Sequence, residues 1–93
     1  KSGKRTVLIE LDLHKPRIFK RFGLPDQTKG ITTCINGLHS VDEIISSTQV
    51  EDLFCIYAGP IPPNPSEYVL SEKMKTIIEY AKANFDFYAY FIG

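Results

Sequence analysis

Residues 4–16 read KRTVLIELDLHKP, and TVLIEL at residues 6–11 is the first clear structural element of the chain. A continuous β-branched and aliphatic run of this length is typical of a strand that is covered on both faces, as in a parallel sheet. Two similar runs follow, LFCIYA at residues 53–58 and FYAYFI at residues 87–92. Because tens of residues separate the runs, the connections are long enough to be crossovers between parallel strands.

The sequence therefore predicts an α/β fold in a single domain over residues 1–93, with about three parallel strands, each buried on both faces, in a three-layer arrangement with flanking helices. Three strands rarely complete such a sheet, so we expect a partial domain or one that depends on a partner. The best helix is predicted at residues 72–84, where Ser71 is the N-cap and where Met74, Ile77 and Ala81 share one face.

Local signals predict two further helices. SVDE at residues 40–43 is a capping box, with Ser40 as the cap and Glu43 reaching back, and it predicts about two helical turns to roughly Ser47. Pro16 suits the first turn of a short helix at residues 17–22. The cations on or beside that helix could bind phosphate or an acidic tail, although such a run is more often a solvated helix face. They are Lys15, Arg17, Lys20 and Arg21.

Composition limits the classes of function. The 93 residues carry 11 Lys/Arg and 11 Asp/Glu, so no net charge steers the chain to nucleic acid. Cys34 and Cys55 are isolated, which excludes a disulfide scaffold or a zinc ribbon and suits a reducing compartment. The longest apolar runs are about six residues, far shorter than the roughly 20 that a membrane-spanning helix needs. We therefore expect a soluble, cytoplasmic chain.

Polar side chains follow the first two predicted strands. Glu10, Asp12 and His14 come at the end of the first strand, and the proline-rich loop at residues 59–65 follows the second. In open α/β sheets, ligands bind beyond the carboxyl ends of the strands. A carboxylate there can hold Mg²⁺ through a bound water or accept a proton. A solvated strand exit without a chemical role is the alternative.

VLIELDLHKP at residues 7–16 resembles the VLLIDADLRRP segment of the bacterial tyrosine kinases, which are the cytoplasmic domains of capsular and exopolysaccharide co-polymerases. The similarity continues in order through RIFKRFGLP, ITTCINGLHSVDEII, VEDLFCIYAGPIPPNPSE and LSEKMKTIIEYAKANFDF, and it covers nearly the whole chain. Its most specific pieces are the strand with its acidic exit and AGPIPPNPSE at residues 58–67.

The resemblance implies a P-loop ATPase fold of the deviant-Walker group and an ATP- and Mg²⁺-dependent protein-tyrosine autokinase of capsular or exopolysaccharide biosynthesis. In that family the segment after this strand is the Walker A′ motif, three aliphatic residues and then D-x-D-x-R, which helps to bind Mg²⁺ and activates the attacking tyrosine hydroxyl. Glu10 stands at the first acid, Asp12 at the second and His14 at the arginine. Asp12 and Glu10 are thus implied as Mg²⁺ ligands and catalytic residues, with a weaker nucleotide-binding role for His14 and Lys15.

The chain also departs from the family's pattern. Glu10 carries its carboxylate on a longer stem, and a neutral imidazole at His14 lacks the donor fork of an arginine. Phe91 stands where the Walker B strand normally ends in an aspartate. The Walker A loop would precede residue 1, since KSGK at residues 1–4 lacks the GxxxxGK[ST] spacing. We therefore expect these residues alone, a fragment or degenerate copy of such a kinase, to bind no ATP or Mg²⁺ tightly and to transfer no phosphate.

Three alternatives stay open. The first is a non-catalytic domain that docks on a membrane polysaccharide co-polymerase. The second is a deviant-Walker ATPase of the partitioning type, against which the PIPPNPSE string argues, and the third is an α/β domain of unrelated function. The resemblance implies a co-polymerase or the rest of the kinase domain as partner, leaves a homo-oligomer open, and places the parent system at the inner face of the bacterial membrane.

Overall fold

The computed structural model describes residues 3–16 and 28–92. The strands of this part of the chain are β1 (Thr6–Glu10), β2 (Ile45–Ser47), β3 (Leu53–Ile56) and β4 (Phe87–Phe91). The helices are α1 (Ile31–Ile35), α2 (Pro65–Val69) and α3 (Glu72–Asn84), and Asp42–Ile44 form a 3₁₀ turn. The helix predicted at residues 17–22 lies outside the described residues.

The strands form one sheet in the order β2-β3-β1-β4. β1 lies between β3 and β4 and is parallel to both, with Leu8 paired to Cys55 on one side and to Ala89 on the other. β2 adds a short antiparallel strand at the outer edge of β3. The α/β prediction with three parallel strands is confirmed, and the fourth strand makes the sheet mixed.

The main core lies between one face of the sheet and helices α1 and α3. Val7 and Ile9 from β1 are fully buried there against Ile77 and Ala81 of α3. The apolar spacing of residues 72–84 explains this packing, because a helix turns its i, i+3, i+4 positions to one side. α3 also begins at the predicted cap, since the Ser71 hydroxyl accepts a hydrogen bond from Met74 N–H at 3.2 Å.

The two-turn helix predicted from Ser40 to Ser47 is wrong. The local capping contact does form, because Glu43 Oε1 accepts the Ser40 N–H at 2.8 Å. However, the helical part is only the 3₁₀ turn, and the chain then extends as β2, where Ile45 pairs with Ile56 of β3. Pairing with a distant strand therefore overrides the local helix signal.

The prediction that the third apolar run is buried on both faces is also wrong. β4 forms where predicted, but among the described strands it pairs only with β1, and Phe87, Tyr88 and Tyr90 are exposed. An apolar run indicates a strand, but its burial depends on which neighbours cover it.

Among the described residues, no helix is long and apolar enough to cross a membrane.

Candidate functional site

The carboxyl ends of β1, β3 and β4 meet at one edge of the sheet because the three strands are parallel. A groove of about 330 Å³ opens at this edge. Asp12 and His14 line it from the exit of β1, Pro65 and Ser66 line it from α2, and Ile92 lines it from the end of β4. The structure therefore brings together the acidic strand exit and the PIPPNPSE segment, the two most specific sequence features.

Asp12 organises the turn that leaves β1. Its Oδ1 accepts hydrogen bonds from the backbone N–H groups of His14 and Lys15, both at 3.0 Å. This is the arrangement by which an aspartate stabilises a turn immediately after itself. Asp12 is half-buried and borders the groove, so its carboxylate is held in a defined position at the strand end.

Glu10 occupies a different environment from Asp12. It is 1% exposed, and its Oε2 accepts the Asp12 N–H at 3.2 Å. A carboxylate buried to this degree has little access to a solvated ion, whereas it can fix the backbone of the residue that follows it. Of the two predicted acids, Asp12 therefore faces the groove and Glu10 supports it.

His14 and Lys15 are both exposed. His14 lines the groove together with Asp12, while Lys15 contributes its backbone N–H to Asp12 and is not among the groove-lining residues. The geometry thus favours His14 over Lys15 as a residue that could contact a molecule bound in the groove beside Asp12.

The loop after β3 is fixed by the start of α1. The backbone N–H groups of Ile31 and Thr32 donate to the carbonyl oxygens of Tyr57 and Ala58 at 2.8 and 2.9 Å, and the Thr32 hydroxyl donates to Pro60 O at 2.7 Å. Hydrogen bonds to a proline-rich loop must come from outside it, because proline has no N–H to donate. These contacts fix the start of the proline-rich loop, which leads to Pro65 and Ser66 in the second wall of the groove.

Gly30 is required for this close approach. A Cβ at residue 30 would lie 2.5 Å from Gly59 N and 2.8 Å from Ala58 C, and closer still to the carbonyl oxygen of Tyr57. Sequence reasoning missed Gly30 and Thr32. The only signal was a glycine directly before a short helix, and nothing in the sequence indicated which strand that helix would touch.

The chemistry available at the strand edge is that of a single positioned carboxylate. In the described part of the chain, no group of three or more His, Cys, Asp or Glu side chains could hold a metal ion. Magnesium at nucleotide sites is usually bound by one or two carboxylates together with phosphate oxygens and water. Asp12 fits that role as one ligand, whereas buried Glu10 fits poorly.

The face of the sheet opposite the main core carries a second small cluster near the strand ends. Cys55 and Tyr57 are buried there against Leu8 and Phe91. Burial raises the pKa of the Cys55 thiol to about 11. Burial also raises the pKa of the Tyr57 hydroxyl, and the interaction with the neighbouring Cys55 raises it further. Both groups therefore stay protonated at neutral pH, and neither is an activated nucleophile.

A larger cavity of about 540 Å³ lies elsewhere, between the end of α1 and the first turns of α3. Cys34, His39 and Lys73 line it. Its wall contains no end of a parallel strand and none of the four predicted site residues, which are Glu10, Asp12, His14 and Lys15. We place the candidate site at the smaller groove because that groove contains the positioned carboxylate.

No model of a protein family matches the chain. Among curated proteins, the chain is 36% identical over 86 residues to the putative tyrosine-protein kinase CapB of Staphylococcus aureus, covering 92% of this chain and 37% of that protein. It is 34% identical over 85 residues to the tyrosine-protein kinase YwqD of Bacillus subtilis, covering 91% of this chain and 35% of that protein. The chain thus spans little more than a third of these relatives.

Solved structures show the same similarity. The chimerical protein CapA2B2 superposes with a TM-score of 0.88 at 30% identity, covering 98% of this chain and 40% of that one. The septum site-determining protein MinD of Pyrococcus horikoshii, solved with Mg-ADP, gives a TM-score of 0.75 at 18% identity, covering 95% of this chain and 36% of that one. The second match shows a shared fold alone. The resemblance to bacterial tyrosine kinases and the P-loop NTPase-like fold are therefore confirmed.

Proposed function

We propose that this chain supplies the strand-end edge of an ATP-dependent protein-tyrosine kinase of capsule or exopolysaccharide assembly. The chain is similar in sequence and in fold to part of the bacterial tyrosine kinases. The observation that carries this proposal is the position of Asp12. Its carboxylate lies at the end of an interior parallel strand, its Oδ1 is held by two backbone N–H groups, and the groove beside it is lined on the other side by Pro65 and Ser66 of the PIPPNPSE segment.

Asp12 is the residue that would take part in phosphoryl transfer, either through Mg²⁺ or as a proton acceptor. A carboxylate here can share a Mg²⁺ ion with nucleotide phosphates, or can accept the proton of the attacking tyrosine hydroxyl. Magnesium supplies charge neutralisation on the phosphate oxygens when it is bound. Glu10 acts as a positioning residue, because its hydrogen bond to the Asp12 N–H fixes the backbone at the base of the turn.

Partners and location follow from the same proposal. The relatives include a putative tyrosine-protein kinase in the cps region of Klebsiella pneumoniae. We propose that the system containing this chain works with a membrane polysaccharide co-polymerase at the inner face of the cell membrane. ATP and Mg²⁺ would bind only when a phosphate-binding loop is also present, so the 93-residue chain by itself should show no micromolar affinity for Mg-ATP in calorimetry.

A chimera tests the catalytic role. Residues 4–84 of this chain replace the matching segment of the S. aureus relative, which keeps its own residues on both sides, and phosphotyrosine is measured by immunoblot. We expect autophosphorylation, and we expect Asp12→Asn to lower it by about two orders of magnitude, as for loss of a general base. Asp42→Asn is the matched control because Asp42 lies in the 3₁₀ turn. A folded chimera whose activity is unchanged by Asp12→Asn would contradict the proposal.

A non-catalytic docking domain is the second candidate, and Phe91 favours it. Phe91 is at the end of β4, directly beside Glu10 at the end of β1, so it occupies a strand-end position at the same edge as Asp12. An apolar side chain there supplies no ligand for Mg²⁺. Extending the grafted segment to residue 92 brings Phe91 into the chimera. Loss of phosphotyrosine with retained folding would then support a non-catalytic role for the native chain.

A further inference from the structure

The α2 side of the groove beside Asp12 is largely apolar. Val69 is the last residue of α2 and Leu70 is its C-cap, and both line the groove while remaining 37% and 81% exposed. Leu11 and Leu13, which flank Asp12 in the chain, line the same groove. Exposed apolar side chains at the rim of a groove with a positioned polar group are typical of a surface that contacts a ligand.

The orientation of α2 is fixed by its other face. Tyr68 packs against the main core, and its hydroxyl donates a hydrogen bond to Asn36 Oδ1 at 2.8 Å. Residues three and four apart lie on one face of a helix, which places Val69 and Leu70 on the same face as Ser66. All three line the groove, whereas Tyr68 does not. The apolar pair is therefore held against the groove by the contact that Tyr68 makes behind it.

The charges of the groove indicate which reactant approaches from this side. Among its described lining residues none is a lysine or an arginine, and His14 lines it from the exit of β1 and not from α2. Phosphate groups are held by such cations, by metal ions or by backbone N–H groups. In phosphoryl transfer the attacking and the leaving oxygen lie roughly in line, on opposite sides of the transferred group. The α2 side thus suits the acceptor and not the nucleotide.

We propose that Val69 and Leu70 determine which acceptor is used, by holding an apolar side chain two residues away from the tyrosine whose hydroxyl approaches Asp12. This inference rests on the proposed function of Asp12. In an extended peptide, side chains two residues apart point to the same face, roughly 7 Å from each other. The groove of about 330 Å³ is at the small end of ligand sites, so it accommodates the tyrosine and one such neighbour and no longer apolar run.

The burial that the groove offers sets the expected selectivity. Complete burial of a leucine side chain would favour binding by more than about tenfold, but Leu70 leaves the groove open to solvent. We therefore expect a preference of about five- to tenfold for leucine over serine beside the tyrosine. The preference should be in KM and not in kcat, because an apolar contact remote from the reacting atoms stabilises the bound substrate and the transition state equally.

Kinetics of the chimera with the S. aureus relative test the selectivity. Two acceptor peptides differ only at the positions two before and two after the tyrosine, which are both leucine or both serine. The leucine peptide should have the lower KM by about five- to tenfold, and Leu70→Ser should reduce that ratio to below about twofold. Leu38→Ser is the matched control, since Leu38 is an equally exposed type of leucine outside this groove, and it should leave the ratio unchanged.

The two proposals fail in different ways in this assay. A KM ratio near one, or a ratio that Leu70→Ser leaves unchanged, would overturn the selectivity inference. Phosphorylation of both peptides that is still lost in Asp12→Asn would uphold the proposed function at the same time.

Peptide binding gives a second test that needs no activity. Backbone amide signals of the 93-residue chain are recorded with each peptide at up to about 5 mM, well above the roughly 1 mM expected for so small a contact. The leucine peptide should shift Val69 and Leu70 and spare Leu38, and the serine peptide should need at least about fivefold higher concentration for the same shift. Signals of α2 that do not respond to the leucine peptide would overturn the inference even if the chimera is inactive.

Discussion

Replacing Gly30 by alanine tests the contact between the start of α1 and the loop after β3, which leads to the wall of the candidate site. Gly30 has an extended backbone, with φ 173°, which any residue can adopt. The added Cβ would nevertheless lie 2.5 Å from Gly59 N and 2.8 Å from Ala58 C. Both are backbone atoms that cannot rotate away, so the start of α1 must move from the end of β3.

Weaker hydrogen bonds and steric overlap together set the size of the destabilisation. The movement weakens the bonds from Ile31 N–H to Tyr57 O, from Thr32 N–H to Ala58 O, and from the Thr32 hydroxyl to Pro60 O. Each bond contributes about 0.5–1.5 kcal/mol. Overpacking adds about 1–3 kcal/mol. Since part of the contact can relax, we expect Gly30→Ala to lower the free energy of unfolding by about 3–5 kcal/mol.

Urea unfolding followed by circular dichroism measures this change. Gly37→Ala is the control, because Gly37 has φ +83° and nothing within 4 Å of its added Cβ. That variant should lose only the roughly 1–2 kcal/mol of a left-handed alanine. If Gly30→Ala destabilises the chain by less than Gly37→Ala does, the contact between α1 and the loop does not hold the groove as described.

Three further predictions concern other contacts. Ser71→Ala removes the acceptor for the Met74 N–H and should lower stability by about 1 kcal/mol in urea unfolding. Burial raises the pKa of the Cys55 thiol from 9.0 to about 11 in the folded chain, so between these values the unfolded chain loses the thiol proton while the folded chain keeps it. The free energy of unfolding should therefore fall by roughly 2 kcal/mol from pH 9 to 11. Arg5→Met should cost about 1 kcal/mol, because the guanidinium lies 4.5 Å from the Phe85 ring centroid.

Each of these three predictions would be contradicted by a specific outcome. Ser47→Ala, at an exposed position, should be near neutral, and a Ser71→Ala effect no larger than that would argue against the cap. The alkaline loss should be smaller in Cys55→Ala, and an identical pH dependence would remove Cys55 as its cause. Arg5→Lys is the comparison variant, because it keeps the charge but not the planar stacking group. Full retention of stability by Arg5→Met would exclude a cation–π contribution.

The elements that sequence predicted well are those set by local pattern. The structures of TVLIEL at residues 6–11 and of residues 72–84 can be predicted locally, because the spacing of apolar residues and the length of the segment distinguish a buried strand from an amphipathic helix. The meeting of Asp12 with the PIPPNPSE segment was also predictable, since the ends of parallel strands share an edge.

The errors and omissions arose where a distant contact decides the outcome. Ser40 and Glu43 form their predicted hydrogen bond, yet pairing of Ile45 with β3 ends the helix after a single turn. The exposure of β4 depends on its neighbours and not on its composition. Gly30 has no local signature of its role, because only the approach of α1 to the end of β3 makes a side chain impossible there.

The role of Asp12 at the nucleotide edge is tested most directly by locating the metal. In the chimera with the S. aureus relative, Mn²⁺ replaces Mg²⁺ in the presence of ATP, and paramagnetic broadening of backbone amide signals is recorded. We expect the strongest broadening at Asp12, His14 and Ser66, weaker broadening at Asp42, and loss of the effect in Asp12→Asn. Broadening that spares the turn after β1 while ATP is bound would contradict the account.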